Sequence, residues 1–174
     1  QMNRHVLSIL VENQAGVLSR VSGLFSRRGY NIDSLSVGET EDPAISRMTI
    51  VVRGDDQILE QIKKQLNKLI DVIKVVELAP EQSVFRELAL IKVKTDLSTR
   101  ASVIEVVGIF RANIVDVASD SLTVEMTGDE AKIEAFINLM NSYSIVEVVR
   151  TGLTAIQRGH QALNEQEKKE EEEE

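Results

Sequence analysis

The sequence predicts an α+β protein built from two consecutive ferredoxin-like βαββαβ domains. Three observations carry that expectation. Apolar residues alternate with period two in some stretches and recur at three and four in others. The order strand, helix, strand, strand, helix, strand runs once through residues 1–79, and then it runs again. An antiparallel sheet with helices on one face is the simplest fold that satisfies this order twice.

The first strand is "HVLSILVE", whose Leu7, Ile9 and Val11 share one face while Val6 and Leu10 lie on the other. Val17, Leu18, Val21, Leu24 and Phe25 then follow helical spacing until Gly29 stops the helix. "NIDSLSVG" and "ISRMTIVV", joined by the polar "ETEDPA", read as a hairpin in which Met48, Ile50 and Val52 alternate. Asp55 or Asp56 caps a second helix with Ile58, Leu59, Ile62, Leu66 and Leu69 inward, and "DVIKVVEL" supplies the last strand. After Pro80, in the loop-like "APEQS", the pattern restarts with the strand "RELALIKVKT". Val103, Ile104, Val107 and Phe110 mark a helix, and "NIVDVA" and "LTVEMT" form a hairpin around 119–121. Ile133, Phe136, Ile137 and Met140 mark another helix, and "SIVEVV" closes. Small details recur too: Phe25 leads into "RRGYNI" and Phe110 into "RANI". The expected division is a first domain over 1–79, a second over 80–163, and a tail over 164–174.

That tail, "NEQEKKEEEEE", holds seven Glu and two Lys, so it accounts for −5 of the net charge of −8 and reads as a disordered end too polar to pack. The remaining charge of about −3 offers no broad attraction to a phosphate backbone, so no nucleic-acid partner is expected. RNA-recognition modules share the split βαβ topology, but "HVLSILVE" and "SRMTIVVR" carry no ring on which a base could stack. No apolar run approaches the roughly 20 residues of a membrane helix, and the N-terminus lacks the order of a secretory signal. No membrane association is expected, and Gln1 ahead of Met2 reads as a processing remnant. The absence of cysteine rules out disulfides and thiolate metal sites and suits a reducing cytoplasm.

Catalytic chemistry finds little support. His5 and His160 lie at opposite ends, neither with a carboxylate or second histidine at ligand spacing, so no metal site is expected. Nucleophile-elbow, zincin and Walker-type runs do not occur. Asp55 and Asp56 are better explained as helix caps than as an acid/base pair. Acylphosphatases share the topology but hold phosphate with an arginine in the first strand–helix loop. Here that loop is "NQAG", without the charge.

The two copies differ at this junction. The first reads "NQAG" and the second "TDLSTRA", with no glycine, so the fold does not need glycine there merely to turn. Backbone N–H groups at a helix N-terminus favour a carboxylate by up to about 1 kcal/mol when exposed and nearer 2 kcal/mol when partly buried. Asn13 adds an amide that both donates and accepts, so a molecule carrying carboxylate and ammonium, an amino acid, would suit the loop. The plainer reading, that Asn13 caps the helix or turn and Gly16 only eases it, is equally compatible with these residues.

"LVENQAGVLSRVSGLFSRRGYNIDSLSVGETEDPAISRMTIVV" with "QIKKQLNKLIDVIKV" resembles the regulatory small subunit of acetohydroxyacid synthase, also called acetolactate synthase. "VEVVRTGLTAIQRG" resembles that family's C-terminal segment. The resemblance runs from about Met2 to Gly159. It implies an N-terminal ACT domain, a ferredoxin-like sensor of small molecules, followed by an ACT-like domain. It also implies a chain with no catalysis of its own that activates a large catalytic subunit and confers feedback inhibition by valine, within branched-chain amino acid biosynthesis. Thiamine diphosphate, magnesium and FAD would belong to that partner, with no cofactor on this chain. In this family the effector lies at the interface of an ACT homodimer. Carried onto matching positions, Asn13, Ala15, Gly16, Val17 and Leu18 would come from one chain and Asn31 with Ile32 from the other, with Val17, Leu18 and Ile32 as the apolar lining. The edge strand "NIDSLSVG", without Pro or Lys, invites such pairing. The alternative readings are a stand-alone ACT-type amino-acid-binding protein or a small ferredoxin-like hydrolase.

Overall fold

Alternation in the first strand places Leu7, Ile9 and Val11 in one buried cluster and leaves Val6 and Leu10 on the opposite face, where each is still only 7% exposed. Both faces of this strand are therefore covered. The computed structural model describes residues 3–163, and these divide into two compact units, one holding 3–84 together with 155–163, the other Phe85–Thr154.

The first unit contains β1 (Asn3–Glu12), α1 (Val17–Arg28), β2 (Ile32–Glu39), β3 (Ile45–Gly54), α2 (Asp56–Asn67) and β4 (Val72–Glu77). Its antiparallel sheet has the order β2-β3-β1-β4, which leaves β2 and β4 at the edges. Phe25, Ile62 and Leu66 bring the two helices onto the buried face of β1 and β3. Each such large side chain contributes about 1.5–3 kcal/mol by leaving water. The helix ends are set locally. Asp55 accepts the Ile58 N–H at 2.8 Å and starts α2. Gly29, in the left-handed region at φ 70°, ends α1, where Arg27 and Arg28 face the negative end of the helix dipole.

The second unit repeats the plan with β5 (Ser83–Lys94), α3 (Arg100–Ile109), β6 (Asn113–Val117), β7 (Ser121–Gly128), α4 (Glu130–Met140) and β8 (Ile145–Arg150), and the strand order β6-β7-β5-β8. The duplicated ferredoxin-like fold read from the sequence is thus the observed one. Asp129 caps α4 through the Lys132 N–H at 2.9 Å, as Asp55 caps α2. Phe110 and Phe136 meet edge to face with centroids 5.3 Å apart. Arg111, at φ 54°, stands where the first copy has Gly29, so the second copy accepts a left-handed residue at a cost of about 1–2 kcal/mol.

Three details differ from the sequence expectations. Leu18 and Ile104 keep helical spacing yet are 47% and 45% exposed, because the apolar stripe is wider than the surface each helix buries. A further strand, β9 (Thr154–Gln157), follows β8. Residues 155–163, expected to end the second domain, instead join the first unit. Arg47 Nη2 donates to the Ala155 carbonyl at 2.8 Å, Lys74 Nζ to that of Leu163 at 2.7 Å, and the Arg158 N–H to that of Gln82 at 2.8 Å. Leu10, on the face of β1 away from the helices, requires a cover, and periodicity along a strand cannot say which distant segment supplies it. The tail expected at 164–174 lies outside the described residues. No helix among the described residues is long and apolar enough to cross a membrane.

Candidate functional site

Asn13 follows directly on β1, and its bonds decide what it is for. Its backbone N–H donates to the Ala44 carbonyl at 2.8 Å, and its side-chain Nδ2 donates to the Pro43 carbonyl at 2.9 Å and to Glu39 Oε1 at 3.2 Å. Asn13 therefore ties the first strand–helix loop to the turn between β2 and β3, and it does not cap α1. The cap position is Gly16, at φ 86°, with no side chain closing the helix end. A left-handed residue there favours glycine, and beyond the Val17 N–H, which donates to the Gln14 carbonyl at 3.4 Å, no side chain caps the N–H groups of the first turn.

The second copy solves the same junction differently. Asp96 accepts the Ser98 N–H at 2.8 Å, the Thr99 N–H at 3.0 Å and the Ser98 hydroxyl at 2.6 Å. The Ser98 bonds, with help from Thr99, hold the Asp96 carboxyl below the usual carboxylate range. A carboxylate of the chain itself thus takes up the backbone N–H groups just ahead of the second unit's first helix, where the first unit has no such side chain.

A cation missing from "NQAG" is supplied one helical turn later. The Arg20 guanidinium lies 3.0 Å from where a Cβ on Gly16 would stand, and its Nε donates to Asp71 Oδ2 at 2.5 Å. Asp71 is buried while the Arg20 side chain is 48% exposed, so the arginine faces solvent over the loop from an anchored carboxylate. The spacing from Gly16 to Arg20 could have revealed the arginine, since residues four apart share a helix face. Nothing local points to Asp71, 51 positions away.

Among the remaining expected residues, Ala15 is exposed on the loop and Leu18 is half-exposed. Val17 is 3% exposed and packed in the first core, and its backbone N–H donates to the Gln14 carbonyl at 3.4 Å, so it offers no apolar lining. Asn31 donates to Asp33 Oδ1 at 3.2 Å, and Asp33 in turn accepts from Arg53 Nε at 2.5 Å. Ile32 is half-buried against the first core. Within one chain, Asn31 and Ile32 do not meet the Asn13–Leu18 group. Ile32 pairs with Val52 while Glu39, which Asn13 touches, pairs with Ser46. The two groups stand at opposite ends of β2, about 23 Å apart at ~3.3 Å per residue.

His5, without a partner by sequence spacing, finds one across the sheet, for its Nδ1 lies 2.7 Å from Glu77 Oε1 and its Nε2 3.2 Å from the Gly54 carbonyl. It bridges β4 to the end of β3. Among the described residues no group of three or more His, Asp or Glu side chains is arranged to hold a metal ion.

Residues 7–74 match the family model of the AHAS small subunit-like ACT domain, AHAS being acetohydroxyacid synthase, and residues 86–159 match that of the small subunit of acetolactate synthase. The chain belongs to the acetolactate synthase small-subunit family. A probable acetolactate synthase small subunit of Methanothermobacter thermautotrophicus is 55% identical over 160 residues, which cover 91% of this chain and 95% of that protein. The acetolactate synthase small subunit of Mycolicibacterium smegmatis is 55% identical over 159 residues, covering 91% and 94%. The crystal structure of the acetolactate synthase small subunit from Thermotoga maritima is 45% identical and superimposes with a TM-score of 0.85 over 91% of this chain and 99% of that one. The first unit is accordingly an ACT domain and the second shares its ferredoxin-like, ACT-like plan, and the chain is a regulatory, non-catalytic subunit of an acetolactate synthase, whose catalysis resides in another subunit.

Proposed function

We propose that this small subunit activates its catalytic subunit and makes it sensitive to valine, which binds between the ACT domains of two copies. The observation that carries the reading is the separation along β2. The Asn13–Leu18 loop and the Asn31–Ile32 pair lie at opposite ends of an edge strand. A two-fold axis through the middle of that edge would join two sheets and set each Asn31 beside the other copy's loop. The open N-terminus of α1 and Arg20 would receive the effector carboxylate, Asn31 of the facing chain the ammonium, and Leu18 with Ile32 the branched side chain. The loss of Val17 from this lining leaves fewer apolar contacts to separate valine from leucine or isoleucine, and one methylene is worth only about 1–3 kcal/mol.

Thiamine diphosphate, magnesium and FAD belong, on this reading, to the catalytic subunit, and the assembly works in the cytoplasm. Regulation needs valine to favour one arrangement of the two copies by about 1–3 kcal/mol. The test is reconstitution: the chain is mixed with its catalytic subunit and acetolactate formation is followed with and without valine. The reading requires stimulation on mixing and inhibition by valine that the catalytic subunit alone lacks. Stimulation without valine sensitivity would remove the sensor from the reading, and no stimulation would remove the whole of it.

A further inference from the structure

Arg20 and Asp71 form an ion pair that the fold itself does not need, because the second unit is built on the same plan without it. The Glu12 N–H donates to the Asp71 carbonyl at 2.9 Å and the Lys94 N–H to the Ser144 carbonyl at 2.9 Å, so Ser144 stands where the first unit has Asp71. The Gly29 and Arg111 N–H groups close their two helices in the same way, on the carbonyls of Ser26 and Gly108. Counting back from those ends sets Ser102 in the place of Arg20 and Ser98 in the place of Gly16. Gly16, Arg20 and Asp71 of the first unit thus all have serine as their counterpart in the second.

The pair is also a costly one. The Asp71 side chain is 8% exposed, and Arg20 is its hydrogen-bond partner among the described residues. Desolvating a carboxylate offsets most of what such a pair gains, so burial of this kind is poor evidence of a stabilising role. Its geometry points outward instead. Arg20 meets Asp71 through Nε alone, which leaves Nη1 and Nη2 unspent among the described residues. Nη1 lies 3.0 Å and Nη2 4.0 Å from where a Cβ on Gly16 would stand, so the free end of the guanidinium lies over the glycine that opens α1. Anchored at Nε, the planar group presents two parallel donors, which match the two oxygens of a carboxylate and not the single oxygen of an amide. We infer that Asp71 is a positioning residue for effector recognition: it holds Arg20 so that Nη1 and Nη2 together select a ligand with a free carboxylate. The inference rests on the reading of the Asn13–Leu18 loop as half of an effector site, and it assigns the selectivity of that half. Gly16 leaves room for the guanidinium, Asp71 fixes its direction, and Arg20 touches the ligand. An amino acid whose carboxylate is amidated loses the paired contact and is rejected.

The test measures binding of L-valine and L-valinamide to the full chain by calorimetry and reads the ratio of the two dissociation constants. The wild-type chain should prefer valine. Arg20→Met and Asp71→Leu should each lower that preference at least about tenfold, the worth of one charge-assisted hydrogen bond, although Asp71→Leu leaves the arginine itself in place. Asp71→Asn, whose side-chain oxygen still accepts the Nε–H, should keep the preference within about threefold. Arg20→Met and Asp71→Leu in one chain leave no buried charge unpaired, so this double variant keeps the test open where Arg20→Met alone does not fold, and it should match Asp71→Leu. A pair that only braces the loop would weaken both ligands by the same factor and leave the ratio unchanged, and that result overturns the inference. A preference that survives Asp71→Leu overturns it too, and in both cases the valine binding itself leaves the effector-site reading standing. Absence of valine binding to the wild-type chain removes that reading, and this inference with it.

Discussion

Replacing Gly16 by aspartate puts the proposed effector loop under its severest strain. The residue stands at φ 86°, so any side chain there costs about 1–2 kcal/mol in backbone strain. Its Cβ would approach Arg20 Nη1 at 3.0 Å, but that atom ends a flexible, half-exposed side chain and can move. Displacing Arg20 would leave the buried Asp71 carboxylate unpaired and adds about 1–3 kcal/mol. The total of roughly 2–5 kcal/mol lowers the melting temperature by about 4–8 °C per kcal/mol, so a thermal melt of the variant accompanies the assay to show that it is folded at the assay temperature. The effect on a bound carboxylate is separate. Two like charges about 4 Å apart repel by about 4 kcal/mol at an effective dielectric near 20, which exceeds the 1–3 kcal/mol that regulation requires. The assay is acetolactate formation by the reconstituted enzyme across a valine titration. Stimulation should persist while the half-inhibiting valine concentration rises at least about 100-fold. Gly16→Asn carries the same strain without charge, and should weaken inhibition less. Full valine sensitivity in the aspartate variant, with stimulation intact, would refute the reasoning.

Mixing chains tests whether the site is shared. Gly16→Asp and Asn31→Ala should each abolish inhibition alone, whereas a mixture of the two restores part of it through dimers with one intact site; both substitutions in one chain should restore nothing. In the second unit, Arg150 bonds Glu87 at 2.6 Å and Glu134 at 2.6 Å, and Glu87 is buried, which drives the arginine pKa upward. Arg150→Met should cost about 2–3 kcal/mol by urea unfolding, less than a fully buried pair because the arginine is partly exposed. Asp96, with its pKa lowered chiefly by Ser98, stabilises the fold above the usual aspartate range, and that contribution fades as pH falls through its lowered folded value. Thermal melts of Asp96→Ala should run below wild type at neutral pH and converge with it in acid.

Local pattern was enough for the elements and their ends. The residues that turn inward, the aspartate caps at 55 and 129 and the stop at Gly29 all depend on neighbours within one or two turns, so the sequence carries them in plain view. The duplication was legible for the same reason, and with it the glycine that one junction has and the other lacks. Partners far apart in the chain were not legible. Asn13 could be read as a helix cap or a ligand group; the fold instead spends its amide on Pro43 and Glu39. Arg20 reaches Asp71, His5 reaches Glu77, and Arg47 reaches Ala155 only because strands distant in sequence lie side by side. Period fixes which face a residue occupies and says nothing of what covers that face. The sequence by itself therefore determined the two ferredoxin-like folds and the glycine junction that sets the first apart from the second. Tertiary structure alone decided that Val17 is core, that Arg20 overhangs the loop, and that the chain's last described stretch returns to the first sheet, because each depends on which distant segments pack together.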